Sequence, residues 1–314
     1  MGENMDYDLI IIGAGPAGMT AGVFAVRKGL KTLLVGKDIG GQVNWTTDIE
    51  NYMGFQEVDG QELMEKFQDQ VEEHHLEEKL DEVRSIRKEG DSFKLTTASG
   101  VEFTAKAIIV CSGKKPKTLN VKGETEFRNR GVSYCSTCDG PLFRDVAVAV
   151  VGGGNSAAKS VLDLANYASA IHLIHLDAEL TADRVLQQRL AKIDKLTRYP
   201  GHTVVEIMGN TAVEQIKVEE IAAKHQYDIP VQGVFIEIGL DPITDFLNDA
   251  VELNEAKEIK VDCFCRTSVP GLYAAGDVSS VPEKQIIIAA GEGAKAAIKV
   301  WEYLMEMPEY PVRH

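Results

Sequence analysis

The sequence predicts an α/β protein with two dinucleotide-binding (Rossmann-like) units. Three observations predict it. A strand, glycine turn, helix and second strand run from Tyr7 to Val35. The same order returns at Asp145, and further buried-strand segments recur between and after the two units.

In the first unit, Tyr7 to Ile12 (YDLIII) reads as a fully buried parallel strand. Gly13-Ala-Gly15-Pro-Ala-Gly18 follows, then a helical stretch from Met19 to Lys28 and a strand from Leu30 to Val35. In this setting Gly13 permits the tight turn, Gly15 lets the backbone approach a pyrophosphate, and Gly18 lets helix and strand pack closely. Free N–H groups at the helix start would then bind phosphate. The second unit repeats the pattern with Val146 to Val151, the turn Gly152-Gly-Gly154-Asn155-Ser-Ala157, a helix to about Tyr167, and the strand Ile171 to His175. Ala157 stands in the third glycine's place, which the pattern tolerates. Two such units suggest two dinucleotides, and a flavin plus a nicotinamide is the usual pair. A duplicated scaffold with one inactive site is the plainer alternative.

Between the units, Phe93 to Thr97 and Val101 to Thr104 alternate as a hairpin around Ala98-Ser99-Gly100, and Ala107 to Val110 reads as another buried strand. Gly233 to Ile238 is strand-like, and Gln285 to Met305 is a long helix.

A chain of 314 residues has room for about two domains. Its formal charge of −15 argues against a nucleic-acid partner. The densest basic run, Lys114, Lys115 and Lys117 around Pro116, reads as a solvated linker. No apolar run approaches the roughly 18 residues of a membrane span. The opening MGENMDYD carries no basic leader or small-residue cleavage site. The expectation is a cytoplasmic protein with no membrane partner. Five cysteines at irregular spacing do not make a disulfide framework, so any disulfide is expected to be catalytic.

Tyr134-Cys135-Ser-Thr-Cys138-Asp139-Gly140 is the sharpest chemical signal. Two intervening residues let the sulfurs meet across one turn at a helix start, where the helix dipole lowers a thiol pKa. That suits thiolate exchange. Asp139 could shuttle the proton a leaving thiolate needs, its plainer role being that of a solvated or capping carboxylate. A zinc site would want a second pair, and Cys263-Phe-Cys265 is a poor match in spacing, with side chains expected on one face of a strand. No metal site is expected. Cys111, Cys263 and Cys265 read as inert thiols.

Taken together these residues resemble the low-molecular-weight thioredoxin reductase family over essentially the whole chain. The likeness rests on Gly13 to Gly18, Gly40-Gly41-Gln42, Glu50-Asn51-Tyr52, Cys135 to Cys138, Gly152 to Ala157 and Thr267 to Asp277 (TSVPGLYAAGD). Within that family it is greatest to the reductase portion of the flavoprotein subunit of alkyl hydroperoxide reductase. Cys138 to Phe143, Ala182 to Gln187, Lys284 to Ile288 and Gly291 to Lys295 carry that likeness. That subunit has a further N-terminal thioredoxin-like domain, whereas this chain starts at the first strand, so its electrons are expected to leave to a separate protein.

The resemblance implies that Gly13, Gly15, Gly18, Gly41, Gln42, Asn51, Gly276 and Asp277 hold FAD, with Gln285 and Ile286 bordering the flavin ring. Gly152, Gly154, Asn155 and Ala157 would hold the nicotinamide cofactor. Cys138 would face the flavin and Cys135 would attack the partner's disulfide. The FAD-binding domain would be discontinuous, residues 1–115 and 244–314, with the NAD(P)H-binding domain and its cysteines at 116–243. The family works by rotating one domain against the other and is typically homodimeric. The implied partner is a thioredoxin- or glutaredoxin-like protein disulfide.

Two departures matter. Gly36-Lys37 follows the second strand where an acidic residue usually binds the FAD ribose. After the second unit's second strand, His175-Leu176-Asp177-Ala178-Glu179-Leu180-Thr181 replaces the H-R-R-x-x-x-R run that grips the NADPH 2′-phosphate. Asp177 can instead accept ribose hydroxyls, which favours NADH, with NADPH possible. A ferredoxin-dependent reductase, an FAD-dependent dithiol oxidase and a non-catalytic redox sensor remain rival readings.

Overall fold

The computed structural model describes residues 5–46, 49–248 and 250–308. The chain forms two compact units, Met1–Lys115 with Asp241–His314, and Pro116–Leu240. The second is an insertion in the first, and the chain re-enters the outer unit at Asp241, slightly before the expected Thr244.

The outer unit begins with β1 (Met5–Ala14), α1 (Pro16–Arg27) and β2 (Thr32–Ile39). The helix starts earlier than the sequence suggests, because Pro16 is pre-set for the first helical position. Next come α2 (Gly60–Glu73), β3 (Glu77–Leu80), β4 (Val83–Glu89), β5 (Ser92–Thr97) and β6 (Glu102–Val110), in the sheet order β3-β2-β1-β6-β5-β4. The two strands expected at 101–104 and 107–110 are one. β6 pairs antiparallel with β5 through its first half and parallel with β1 along its length, with Leu9 opposite Ala107 and Ile12 opposite Val110. No glycine or proline interrupts EFTAKAIIV, so alternation simply gives way to a run buried on both faces. The chain then leaves through β7 (Lys114–Pro116).

The inserted unit carries β8 (Val132–Ser133), α3 (Ser136–Asp139), β9 (Ala147–Val151), α4 (Asn155–Leu164), β10 (Ala170–His175), α5 (Arg184–Leu190) and β11 (Leu196–Pro200). An antiparallel sheet of β12 (His202–Gly209), β13 (Val213–Glu220) and β14 (His225–Pro230) follows, and β15 (Gly233–Ile236) closes the unit. The parallel sheet has the order β11-β10-β9-β15-β8, with Val150 opposite both Leu173 and Phe235. The antiparallel sheet has no counterpart in the sequence reading. Its signal is the apolar alternation of Ile216 and Val218, which pack with Val213, Val204 and Ile207 against Ala149, Val151 and Val234, a register shift between β12 and β13 bringing Val213 to the same face.

The chain returns through β16 (Leu240–Pro242), adds β17 (Leu272–Ala274) parallel to β6, and ends in α6 (Ile286–Met305). Leu9 and Ile11 of β1 pack with Met19 and Val23 of α1 and Val300 and Leu304 of α6. Ile10 and Ile12 pack on the opposite face with Phe93, Leu95 and Val278. Both faces are covered, which is why this strand is a continuous apolar run. Among the described residues no helix is long and apolar enough to cross a membrane.

Candidate active site

The first glycine turn is shaped by contacts within the outer unit. Gly13 has φ +107°, and a Cβ there would lie 2.3 Å from the Cys111 carbonyl oxygen. A Cβ on Gly18 would lie 1.8 Å from the Gly13 oxygen, so α1 can approach β1 only without one. Gly15 differs. It is the N-cap of α1, and a Cβ there would meet only the Gly40 oxygen, at 4.0 Å. Gly41 faces it, its own Cβ position 3.9 Å from the Gly15 Cα. Neither packing nor φ therefore requires glycine at Gly15, whereas Gly41 takes φ +57°. The bare Gly15 backbone, with Gly41 facing it, leaves a cradle over the α1 N-terminus suited to a close-lying phosphate. Gly41 and Gln42 begin a short 3₁₀ turn, Gly41–Trp45.

Other expected flavin-site residues converge within the same unit. The Asn51 side-chain amide donates to the Gln285 side-chain oxygen at 3.2 Å, across 234 residues of sequence. Gln285 is the N-cap of α6, and Ile286 is its first, half-buried residue. Glu292, buried on α6, accepts from the Gly276 N–H at 3.2 Å and so ties the Gly276-Asp277 turn to that helix. Burial pushes the Asp277 carboxyl up, opposed by Lys284 and Lys114. Both lysines pair with Glu258, and Lys284 also donates to the Ser279 carbonyl at 2.7 Å. Burial and the nearby charge of Lys114 hold the Lys284 pKa down. Glu258 lies outside the sequence motifs, and Glu292, within the Gly291 to Lys295 segment, was given no role there.

In the inserted unit, Cys135 and Cys138 form a disulfide with a Cα–Cα distance of 5.3 Å. Cys135 is the N-cap of α3, and its Sγ accepts the Cys138 N–H at 3.2 Å. The sulfur thus sits at the positive end of a helical turn. Asp139 is held by Ser133, whose hydroxyl donates to Oδ2 at 2.6 Å. The same hydroxyl oxygen accepts the Cys135 N–H at 3.1 Å. Ser133 therefore fixes both the Cys135 backbone and the carboxylate beside the pair. Sequence reading missed it, because a serine two residues before a cysteine carries no signal until β8 buries it.

The second glycine turn repeats the first. Gly152 has φ +144°, with its Cβ position 2.3 Å from the Glu237 carbonyl oxygen, Gly154 is the N-cap of α4, and Ala157 is buried. The loop after β10 folds back over this turn. The Gly153 oxygen accepts from the N–H groups of Thr181 and Ala182 at 2.9 and 3.1 Å, and from the Thr181 hydroxyl at 3.2 Å. Asn155 and Asp183 exchange hydrogen bonds, Asn155 Nδ2 to Asp183 Oδ2 at 3.1 Å and Asp183 N–H to Asn155 Oδ1 at 2.8 Å. The loop thus brings Asp183 against the turn, and carries the exposed carboxylates of Asp177 and Glu179 as well. Asp183 lies in the Ala182 to Gln187 segment, to which the sequence assigned no role. His175, buried at the end of β10, is held below its usual pKa by burial and so is neutral near pH 7.

The remaining cysteines are apart from this chemistry. Cys111 and Cys265 are buried, and burial pushes the Cys265 thiol up to about 12 and raises that of Cys111 as well. Cys263 is exposed. Cys263 and Cys265 lie on a turn rather than the expected strand, because the Asp262 carboxylate accepts the N–H groups of Phe264 and Arg266 and Cys265 takes φ +64°. Among the described residues no His, Cys, Asp and Glu side chains are grouped to hold a metal.

Two Rossmann-like units, with a Cys-x-x-Cys disulfide at a helix start in the inserted one, define a flavoprotein oxidoreductase built around a redox disulfide. The model of the pyridine nucleotide-disulphide oxidoreductase family matches residues 7–294, and the chain belongs to that family. The Escherichia coli alkyl hydroperoxide reductase subunit designated F is 39% identical over 304 residues, covering 95% of this chain and 58% of that protein. The Pseudomonas putida protein of the same name is 38% identical over 303 residues, with the same coverage. The chain thus spans 58% of the length of these two relatives. Among solved structures, thioredoxin reductase from Streptococcus pyogenes superposes with a TM-score of 0.92 at 37% identity, covering 97% of this chain and 100% of that one. Thioredoxin reductase from Giardia duodenalis gives 0.91 at 29% identity, covering 96% and 100%. Membership implies FAD and a pyridine nucleotide as cofactors, and the open cradle at Gly15 and Gly41 fits the first.

Proposed function

We propose that this protein transfers electrons from NADH to the disulfide of a thioredoxin- or glutaredoxin-like protein, through Cys135 and Cys138. The observation that carries the reading is the disulfide itself, seated at the α3 N-terminus beside a carboxylate fixed by Ser133. The outer unit would hold FAD with Gly13, Gly15, Gly18, Gly41, Gln42, Asn51, Gly276, Asp277, Gln285 and Ile286. When bound, FAD supplies the two-electron relay between the nicotinamide and the protein disulfide. The inserted unit would hold the nicotinamide nucleotide on Gly152, Gly154, Asn155 and Ala157, with Asp177 toward its ribose.

In the reduced pair, the Cys135 sulfur keeps the Cys138 N–H and the helix start, both of which favour its thiolate. That thiolate attacks one sulfur of the partner's disulfide, forming a mixed disulfide and expelling the partner's other sulfur. The Cys138 thiolate then attacks the Cys135 sulfur, restoring the internal disulfide and releasing the partner as a dithiol. Asp139 supplies the proton a departing thiolate takes up.

The acid-lined loop of Asp177, Glu179 and Asp183 supports NADH over NADPH, because a 2′-phosphate would be repelled where arginine forks would otherwise bind it. The alkyl hydroperoxide reductase relatives and the thioredoxin reductase neighbours support the acceptor class. A homodimer in the cytoplasm is part of the same proposal. Anaerobic titration of the purified protein with NADH and with NADPH tests the donor. NADH should bleach the flavin's visible absorption at lower concentration, and bleaching by neither nucleotide would refute the reading.

A further inference from the structure

The turn between β11 and β12 is bonded to the nucleotide loop, and the proposed reaction gives it no part. His175, at the end of β10, lies opposite Pro200, at the end of β11. Just beyond, the Gly201 N–H donates to the Asp177 carbonyl at 3.3 Å, and the Gly201 carbonyl accepts the Ile221 N–H at 2.9 Å. Gly201 thus bridges the loop after β10 and the end of β13. His202 closes this turn, with Nδ1 2.7 Å from the Pro200 carbonyl oxygen. A carbonyl only accepts, so Nδ1 carries a proton and donates it. Nε2 lies 3.0 Å from the Tyr227 hydroxyl of β14. The ring stands edge to face with Tyr199 of β11, at 5.8 Å between centroids, and with Tyr227, at 5.9 Å. Tyr199 is held in turn by His172 of β10, hydroxyl to Nδ1 at 3.1 Å. Both sheets of the inserted unit therefore clamp this one imidazole.

We propose that His202 is a positioning residue for the nicotinamide nucleotide, fixing the turn that holds Asp177 where it accepts the adenosine ribose 2′-hydroxyl. Asp177 lies on an exposed stretch, Leu176 to Glu179. The far end of that stretch is tied to the second glycine turn, through the Thr181 and Ala182 N–H groups on the Gly153 oxygen. Gly201 supplies the tie at the near end, on Asp177 itself. An aspartate side chain has few rotamers, so a fixed backbone leaves its carboxylate a small choice of places. Without the tie, nucleotide binding would have to order the loop as well, and affinity would fall by that cost. The effect of the clamp is therefore on nucleotide affinity, and it is felt at one hydroxyl.

The inference rests on the reading of Asp177 as the ribose acceptor, and its test separates the two. Calorimetric titration of the purified flavoprotein with NAD+ and with 2′-deoxy-NAD+, which lacks the adenosine 2′-hydroxyl, gives the two Kd values. The wild type should bind the deoxy nucleotide about tenfold more weakly or worse, the loss of one hydrogen bond to a carboxylate. His202→Ala should bind NAD+ about five- to tenfold more weakly, and 2′-deoxy-NAD+ within about twofold of wild type. His202→Asn keeps a side-chain N–H for the Pro200 carbonyl and should restore NAD+ binding to within about twofold. In His202→Ala the KM for NADH should rise while kcat at saturating NADH holds. Tyr227→Phe removes only the hydroxyl at Nε2 and carries the same comparison if His202→Ala does not fold, with a loss of about two- to fivefold. Equal weakening of both nucleotides, no weakening, or an asparagine variant as weak as the alanine one overturns the inference. A wild type indifferent to the 2′-hydroxyl overturns the role given to Asp177, and the inference with it. A wild type that binds no nicotinamide nucleotide refutes the proposed function.

Discussion

Replacing Ser133 by alanine isolates what the fold adds to the Cys-x-x-Cys pair. Its side chain is buried, donates to Asp139 Oδ2 at 2.6 Å and accepts the Cys135 N–H at 3.1 Å. A hydrogen bond to a charged group contributes about 1.5–3 kcal/mol. Losing it releases Asp139 from one fixed orientation, and each ~1.4 kcal/mol is about a factor of ten in the population held. If Asp139 supplies the proton, Ser133→Ala should lower kcat/KM for protein-disulfide reduction by roughly 10- to 100-fold, within the range that general acid catalysis contributes. The flavin should still bleach normally with NADH, since Ser133 belongs to the inserted unit and the FAD cradle to the other. Ser133→Thr keeps the hydroxyl and should recover most of the activity. Steady-state reduction of a thioredoxin-like substrate, with anaerobic flavin titration as control, measures both. Turnover of Ser133→Ala within twofold of wild type would refute the reasoning, and equal loss of flavin reduction would show a general structural defect instead.

Cys138→Ser and Cys135→Ser should each abolish protein-disulfide reduction while FAD stays bound, and near wild-type turnover in either would exclude the pair as the relay. The wild type should show higher kcat/KM with NADH than with NADPH. Leu176→Arg with Asp177→Arg should narrow or reverse that preference, since Leu176 is 64% exposed and an arginine there disturbs no packing. Solvent screening limits each new phosphate contact to about 1 kcal/mol, so a change of roughly fivefold per arginine is expected in paired kinetics with the two nucleotides. Gly18→Ala puts a methyl 1.8 Å from the Gly13 carbonyl oxygen. The resulting shift of α1 should cost about 1–3 kcal/mol, read as a lower midpoint in thermal unfolding together with weaker FAD retention.

The glycine turns were legible because their requirements are local. A strand must end, a chain must turn and a helix must begin within a few residues, so Gly13, Gly18 and Gly152 announce themselves by spacing alone. Cys135 and Cys138 were legible for the same reason, since two sulfurs meet across one helical turn whatever surrounds them. Local pattern failed where one period passed into another. β6 changes from half-buried alternation to burial on both faces without a break, so it read as two strands. Cys263 and Cys265 read as strand residues because the Asp262 turn depends on side-chain hydrogen bonds rather than on glycine or proline.

By itself, then, the sequence determined the two Rossmann-like units, the Cys-x-x-Cys pair and the missing arginines after β10. Tertiary structure alone decided which distant groups hold these parts in place. Asn51 meets Gln285, Glu292 ties down the Gly276 turn, and Asp183 closes on Asn155. The physical reason is common to all of them. Each is a hydrogen bond between side chain and partner brought together by the packing of separate elements, and a polar residue gives no periodicity by which its partner could be read.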